Sequence, residues 1–529
     1  MIGMTQALSH SQQGGDSLPF RSILFDESSI GRDIDSQKAP EFFSDLNLDQ
    51  IVASMTAGRD EYNLKPFFHV PLSDVETIHY RHDIFRDLEG HALLEHVRSF
   101  ARQMRTMRDH LTQADKLHYK YQKQSWFLEA AEIYCDAIRS LARDLALTDL
   151  SSRGFLAFHE YLTGYTESGE FTSFAAETQK LRADLSEVRY SLDIKGSRIK
   201  VEGSSPGLDY GADVLQTFEK FKQGAAKEYR FDFSSGPEMN HVEAAILDLV
   251  ARLYPDIFSA LDEYYGRHAN YLDSIITSVF DREVQFYIAC LEHIERHKPT
   301  GLSFCYPTVT GESKEVYGRD VFDLALANKL TSEKTPVVTN DFYLQGPERI
   351  FVVSGPNQGG KTTFARTFGQ LHYLAALGCP VPGTEARLFL FDRLFTHFEK
   401  EEDIRNLSGK LEDDLLRIHQ ILEWATPNSI LIMNESFVST TLSDALFLSK
   451  QIMQQIIQRD MLCVSVTFLD ELASLGESTV SMVSTVDHED PALRTFKLVR
   501  KPADGRAYAM AIAEKYRLSY ESIKGRIET

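Results

Sequence analysis

Nine residues constrain this chain more than any others: Gly355, Pro356, Asn357, Gln358, Gly359, Gly360, Lys361, Thr362 and Thr363. They follow an apolar, β-branched run, Ile350-Phe351-Val352-Val353, and precede Phe364, Phe368, Leu371 and Leu374 at helical spacing. The order is strand, glycine-rich loop, helix. Gly355 and Gly360 bracket four residues before Lys361-Thr362, which completes the P-loop spacing. Glycines let the backbone turn tightly and aim its N–H groups inward at phosphate oxygens. The helix that follows adds the positive end of its dipole. The pattern predicts a nucleoside triphosphate site. Lys361 would reach the β- and γ-phosphates, and the Thr362 hydroxyl would ligate Mg²⁺.

A chain of 529 residues has room for several domains around this loop. Its 56 basic and 77 acidic residues leave a net charge of −21, which argues against indiscriminate coating of nucleic acid. A local basic track remains compatible with that balance. Cys135, Cys290, Cys305, Cys379 and Cys463 are scattered, without CxxC spacing. They read as reduced thiols of a cytoplasmic protein rather than zinc ligands or disulfides. No apolar run approaches the roughly 18–20 residues of a membrane span, so no membrane partner is expected.

Residues 1–35 are polar and weakly patterned, and read as a disordered tail. A helical core and lever region is expected over 36–187, with Ser73 or Asp74 capping the helix that carries Ile78, Ile84 and Phe85. From about Leu93, Val97, Phe100, Met104, Met107 and Leu111 step by three and four, the period of a packed helix. Arg98, Arg102, Arg105, Arg108, Lys116, Lys120 and Lys123 run beside them, seven basic residues against the two acids Asp109 and Asp115. This local reversal of sign is either a phosphate-contacting track or a solvated, internally paired face; the second is the commoner outcome. Over 188–236, alternation at Val188, Tyr190, Leu192 and Ile194, then Ile199 and Val201, predicts short strands around Lys195-Gly196-Ser197. Helix returns over 237–300. Pro255 divides it, and the pattern fits either a returning rod or an ordinary bundle. From 301 to 529, β and α alternate as in a doubly wound fold, with strands near 430–433, 462–466, 480–486 and 495–499 and a final helical pair from Tyr508 to Ile527. The expected fold is multidomain: an α-helical core with long helices and a small β-containing insertion, then a C-terminal α/β P-loop domain.

The strand ending at Met433 is followed by Asn434 and Glu435. A P-loop ATPase usually places Asp-Glu here. The Asp supports the Mg²⁺ shell, and the Glu orients and polarises the attacking water. Glu435 suits that role. Asn434 keeps an acceptor oxygen and loses the charge, so Mg²⁺ affinity and turnover should fall without vanishing. Thr440 and Thr441, in Ser439-Thr440-Thr441-Leu442-Ser443-Asp444, open a helix. They read as simple caps or as an anion site for a γ-phosphate.

Together, Gly-Pro-Asn-Gln-Gly-Gly-Lys-Thr-Thr, Leu431 to Ser436, Ser439 to Ala445 and Val466 to Leu472 resemble the ATPase domain of the MutS family of DNA mismatch repair proteins. The resemblance is strongest from about Val338 onward. It extends weakly through Pro71-Leu72 and Ile78-His79-Tyr80-Arg81-His82-Asp83, which look like the start of that family's helical core. The resemblance implies lever helices and a DNA-gripping clamp, ATP and Mg²⁺ as cofactors, and a homodimer in which Thr440 and Thr441 complete the partner subunit's nucleotide site. It also implies DNA and repair or recombination proteins as partners. The chain departs from the pattern at Asn434, at Ser439 where Gly is usual, and at Phe468 where His follows Thr. The core begins near residue 40, leaving no room for the mismatch-reading and connector domains. Phe127-Leu128-Glu129 lies in a helical pattern, not in a Phe-x-Glu reading loop. The expectation is an ATP-controlled dimer acting on mismatched, branched or recombining DNA. An ATP-binding scaffold with little hydrolysis and no DNA contact is the rival. A transporter-type ATPase is disfavoured by its missing signature and by the long helical N-terminal half.

Overall fold

A computed structural model of the chain describes residues 20–26, 34–196, 198–203, 239–269, 271, 276–399, 409–487 and 493–502. The tail and the final helical pair anticipated from sequence lie outside the described residues, except for residues 20–26, 34 and 35. Two compact units emerge. One holds residues 1–21 and 87–281, the other residues 22–86 and 282–529.

The first 86 residues supply α1 (Leu48–Thr56) and most of α2 (Val75–Glu89). Asp74 caps α2, accepting Thr77 N at 2.6 Å. The helical unit then begins with α3 (His91–Lys116) and α4 (Lys120–Ala146), which pack along their length. The predicted stripe is the buried one: Val97, Phe100, Met104 and Met107 face the core. The basic residues beside it are largely engaged. Arg98 pairs with Glu95 at 2.8 Å, Lys120 with Asp262 at 2.9 Å and Lys123 with Asp115 at 3.2 Å, and Arg108 bonds the buried carboxylate of Asp281. Two shorter helices follow, α5 (Arg153–Glu167) and α6 (Gly169–Ser186). Ser168 divides them: its N–H closes α5 and its side chain caps α6 by accepting Phe171 N. Phe155, Phe158, Phe171 and Phe174 are fully buried, and Phe158 stacks on Phe280 with ring centroids 3.5 Å apart.

β1 (Tyr190–Lys195) and β2 (Arg198–Gly203) form the expected antiparallel hairpin, paired from Tyr190↔Gly203 to Lys195↔Arg198. Gly196 at its tip has φ +63°, which glycine adopts without penalty. Helix α7 (His241–Leu253) opens with a capping box between Asn240 and Glu243. Pro255 ends it and occupies the first turn of α8 (Pro255–His268), so the chain runs as separate helices here rather than one rod.

The second unit takes the chain back through α9 (Asp281–His297). Short strands β3 (Phe304–Cys305), β4 (Thr308–Thr310) and β5 (Val316–Val321), helix α10 (Leu324–Ser332) and β6 (Asn340–Leu344) precede the central strand β7 (Ile350–Ser354). Beyond it come α11 (Lys361–Ala376), β8 (Val381–Pro382), β9 (Glu385–Phe389), β10 (Leu394–Phe398), α12 (Lys410–Trp424), β11 (Ile430–Asn434), α13 (Leu442–Gln458), β12 (Leu462–Val466), β13 (Thr479–Val486) and β14 (Arg494–Arg500). Six strands form one sheet in the order β10-β11-β12-β7-β13-β14, parallel except for β14. A four-stranded sheet, β4-β9-β5-β6, lies in the same unit. β7 and β12 are buried throughout, which explains why their sequences are almost wholly apolar. No described helix is long and apolar enough to cross a membrane.

Residues 22–24 thread into this unit beside α2 and α9. The buried carboxylate of Glu283 accepts Ser22 Oγ at 2.8 and 2.9 Å and Ile23 N at 2.8 Å. Burial pushes the Glu283 carboxyl up to about 7, against those hydrogen bonds and the nearby Arg81 charge. The folded chain therefore holds this proton to higher pH than the unfolded chain does. Stability from this group is complete below about pH 4.5 and is lost as pH climbs through about 7, a loss of about 3 kcal/mol. Glu283→Gln should remove that component: urea unfolding of both proteins across this window should show a shallower fall for the variant.

Candidate nucleotide site

The site lies at the carboxyl ends of parallel strands, the place where open α/β sheets take ligands. β7 delivers Gly355 to the loop, β11 delivers Asn434 and Glu435, β12 delivers Thr467 and Phe468, and β13 runs beside the loop. Gly355 (φ +118°) and Gly360 (φ +93°) adopt conformations that L side chains rarely reach. Space is equally decisive. A Cβ on Gly355 would lie 2.9 Å from Ser484 O, and one on Gly359 would lie 2.3 Å from Ser484 Oγ. Ser484 Oγ donates to Gly359 O at 2.5 Å, so β13 holds the loop from below. A backbone cradle without side chains is what a phosphate chain requires.

Lys361 opens α11 and is buried. Its Nζ donates to Gly355 O at 3.0 Å, Pro356 O at 3.1 Å and Asn357 Oδ1 at 3.4 Å. The same ammonium sits 4.8 Å from the centroid of the Phe468 ring, a cation–π contact. Phe468 therefore contacts Lys361 where the family pattern has His. Burial lowers the Lys361 pKa, Glu435 raises it and Arg494 lowers it again. Gln358 (φ +58°) completes the loop in the left-handed region.

Thr362 Oγ1 donates to Asn434 Oδ1 at 3.0 Å, so two residues 72 positions apart meet at the predicted metal position. Glu435 follows at φ +54°, with its N–H bonded to Val466 O at 2.9 Å. A non-glycine residue in this region carries strain, and such strain clusters at functional sites. Thr363 lies in the first turn of α11, and its carbonyl accepts Thr367 Oγ1 at 2.9 Å. Thr440 and Thr441 stand apart from these residues in role. Thr441 caps α13, accepting Asp444 N at 3.2 Å and donating to Asp444 Oδ2 at 2.8 Å; Thr440 Oγ1 also donates to that oxygen, at 3.4 Å. The hydroxyls of Thr440 and Thr441 thus share the Asp444 carboxylate at the start of α13.

Several neighbours were not anticipated. Ser484 and Arg494 lie more than a hundred residues from the loop they touch, and no local pattern marks them. On β10, buried His397 lies 3.7 Å from Asp414 of α12, beside the strand that carries Asn434.

MutS domain V matches residues 351–525, spanning the P-loop, Asn434-Glu435 and the β13–β14 hairpin. Over these residues the chain is similar to domain V of the MutS family. It is similar to the DNA mismatch repair protein MutS of Shouchella clausii, 26% identical over 290 residues, 53% of this chain and 32% of that protein. Endonuclease MutS2 of Thermus thermophilus is 30% identical over 189 residues, 35% of this chain and 25% of the relative. The MutS of Thermosipho melanesiensis is 29% identical over 182 residues, 34% and 22% of the two chains. The matches therefore span about a third or less of these relatives' length.

Within this MutS domain, the fit of the loop to β13 makes a direct prediction. Gly359→Ala should drive its methyl into Ser484 Oγ and cost about 1–3 kcal/mol, with loss of ligand binding. Adding Ser484→Ala removes the hydroxyl and should recover part of the melting temperature. Pro356 O, 2.9 Å from the new Cβ, keeps the rescue partial.

Proposed function

We propose that this chain is a MutS-type, ATP-dependent DNA-binding protein that works as a homodimer and hydrolyses ATP slowly. The observation that carries the reading is the meeting of Thr362 and Asn434 at 3.0 Å beneath a glycine cradle too tight for side chains. The donor set fits ATP with Mg²⁺: the loop amides and Lys361 would hold the phosphates, and Thr362 and Asn434 would hold the ion. Bound Mg²⁺ would supply charge neutralisation at the phosphates. Glu435 would orient and polarise water. Asn434 is neutral, so the metal shell is weakened and turnover should be slow. Binding at paired sites would close the dimer, with the Thr440–Thr441 segment facing the partner, and hydrolysis would reset it. The substrate would be mismatched, branched or recombining DNA, read without a Phe-x-Glu loop. Repair or recombination proteins would be its partners, in the cytoplasm. The β1–β2 hairpin would be the clamp-like piece, and α3 and α4 the lever helices.

A second reading has its own support. Arg98, Arg108, Lys120 and Lys123 are paired within the helical unit, and Lys195 at the hairpin tip lies 3.1 Å from Asp193. Internally paired cations contribute less to a phosphate track. That favours an ATP-binding dimeric scaffold without direct DNA contact. Titrating duplex, mismatched, forked and four-way DNA at two salt concentrations, with and without ATP, separates the two. The DNA-binding reading expects tighter binding to at least one non-duplex form, an effect of ATP, and affinity that falls with salt. Equal, negligible binding to all four forms would leave the scaffold.

A further inference from the structure

The end of the β13–β14 hairpin makes a wall over the P-loop. The two strands change register between Ser484 and Val486, and the last pair is Val486↔Arg494. Such an irregularity bends a strand and re-aims its side chains. Here it is braced. Thr485 Oγ1 and Thr495 Oγ1 lie 2.6 Å apart, Thr495 Oγ1 donates to Thr485 O at 3.0 Å, and Thr485 Oγ1 donates to Lys497 O at 3.0 Å. Asn340 of β6 secures the same end, donating to Phe496 O at 3.2 Å and accepting Leu498 N at 2.7 Å.

From this mount the hairpin meets the loop at three points. Ser484 bonds Gly359 O. Phe496 O lies 3.7 Å from where a Cβ on Gly360 would stand. Arg494 Nε donates to Asn357 O at 3.2 Å, while the Asn357 side chain accepts Lys361 Nζ. The chain Arg494–Asn357–Lys361 thus links a half-buried guanidinium to the ammonium of the P-loop. The charge of Arg494 disfavours that of Lys361. Two cations held this close to a row of backbone amides make a site that gains from a multiply charged anion.

We infer that Arg494 is a positioning residue and the second fixed cation of the nucleotide site, holding the P-loop tip through Asn357 O and adding its charge to that of Lys361 toward a nucleoside triphosphate. The inference deepens the nucleotide reading above and rests on it. The two hydrogen bonds and the charge have separable consequences. A brace alone sets the loop's shape and acts alike at all salt concentrations. A fixed charge also contributes a Coulombic attraction that salt screens.

The test uses the full chain and titrates ATP by calorimetry at several salt concentrations. Arg494→Gln keeps an N–H donor and drops the charge; Arg494→Lys keeps the charge. R494Q should weaken ATP binding by about tenfold at low salt and flatten its salt dependence, because a charge-assisted contact is lost. R494K should restore both in large part. If R494Q lowers the melting temperature sharply, R494K carries the test and must keep the wild-type salt slope. Wild-type affinity and slope in R494Q, while Lys361→Ala abolishes binding, would overturn the inference and leave the P-loop assignment intact. Weaker binding with an unchanged slope overturns it as well, reducing Arg494 to a brace. If wild type and K361A titrate alike, the nucleotide reading itself falls.

Discussion

The second unit depends on bare backbone pressed against β13 at Gly355 and Gly359. That contact fixes where α11 begins, and α11 organises its surroundings because it is enclosed on nearly every side. Phe364, Phe368 and Leu371 bury apolar surface worth about 1.5–3 kcal/mol each. Several of its polar residues bond distant parts of the unit. Gln370 donates to Leu46 O and Asp323 Oδ1, both at 2.9 Å, and accepts Leu324 N at 2.9 Å. Arg366 bonds Asp45 O at 2.9 Å, and Tyr373 OH bonds Phe68 O at 2.9 Å. A helix tied to its surroundings at these points has little freedom to shift, so the loop at its start is held in place.

The other end of α11 is equally determined. Gly378 (φ +67°) and Cys379 turn the chain back, with Cys379 N bonded to Leu374 O at 3.0 Å, a Schellman-type stop. Buried Arg81 donates to Leu377 O at 2.7 Å and to Leu24 O at 2.9 Å. Its charge faces the negative end of the helix dipole, a favourable placement. The family-like segment Ile78 to Asp83 therefore serves the nucleotide helix directly. The chain enters this unit at Ser22, leaves it after Arg86 within α2 and returns at Arg282 within α9.

Much of this was legible because it is local. Strand, loop and helix around residue 355 form one continuous pattern, and the glycines state their own reason. The α3 stripe and the hairpin at 190–203 also follow from periodicity over a few residues. What stayed hidden depends on distant partners. Ser484 and Arg494 are ordinary strand residues until β13 lies beside β7. The acids that pair with Arg108, Lys120 and Lys123 include Asp281 and Asp262, far along the chain, so the sequence could weigh a paired face but not name its partners. For Thr440 and Thr441 the sequence allowed caps or an anion site; Asp444, four and three residues on, is the acceptor of both hydroxyls. β9, β10 and α12 lack sharp boundaries in the sequence and were not separated there.

Under the proposed function, a triphosphate and not a diphosphate would drive two copies of this chain together. A ligand shifts an equilibrium only through contacts that differ between its states. Sedimentation of the full chain at several concentrations, with a non-hydrolysable ATP analogue or with ADP, measures this directly. The expected result is a tighter dimer with the analogue, and loss of that difference when Thr440 and Thr441 are both replaced by Val while binding at the P-loop persists. Equal dimer affinities in the two nucleotides for the unmodified protein would contradict it.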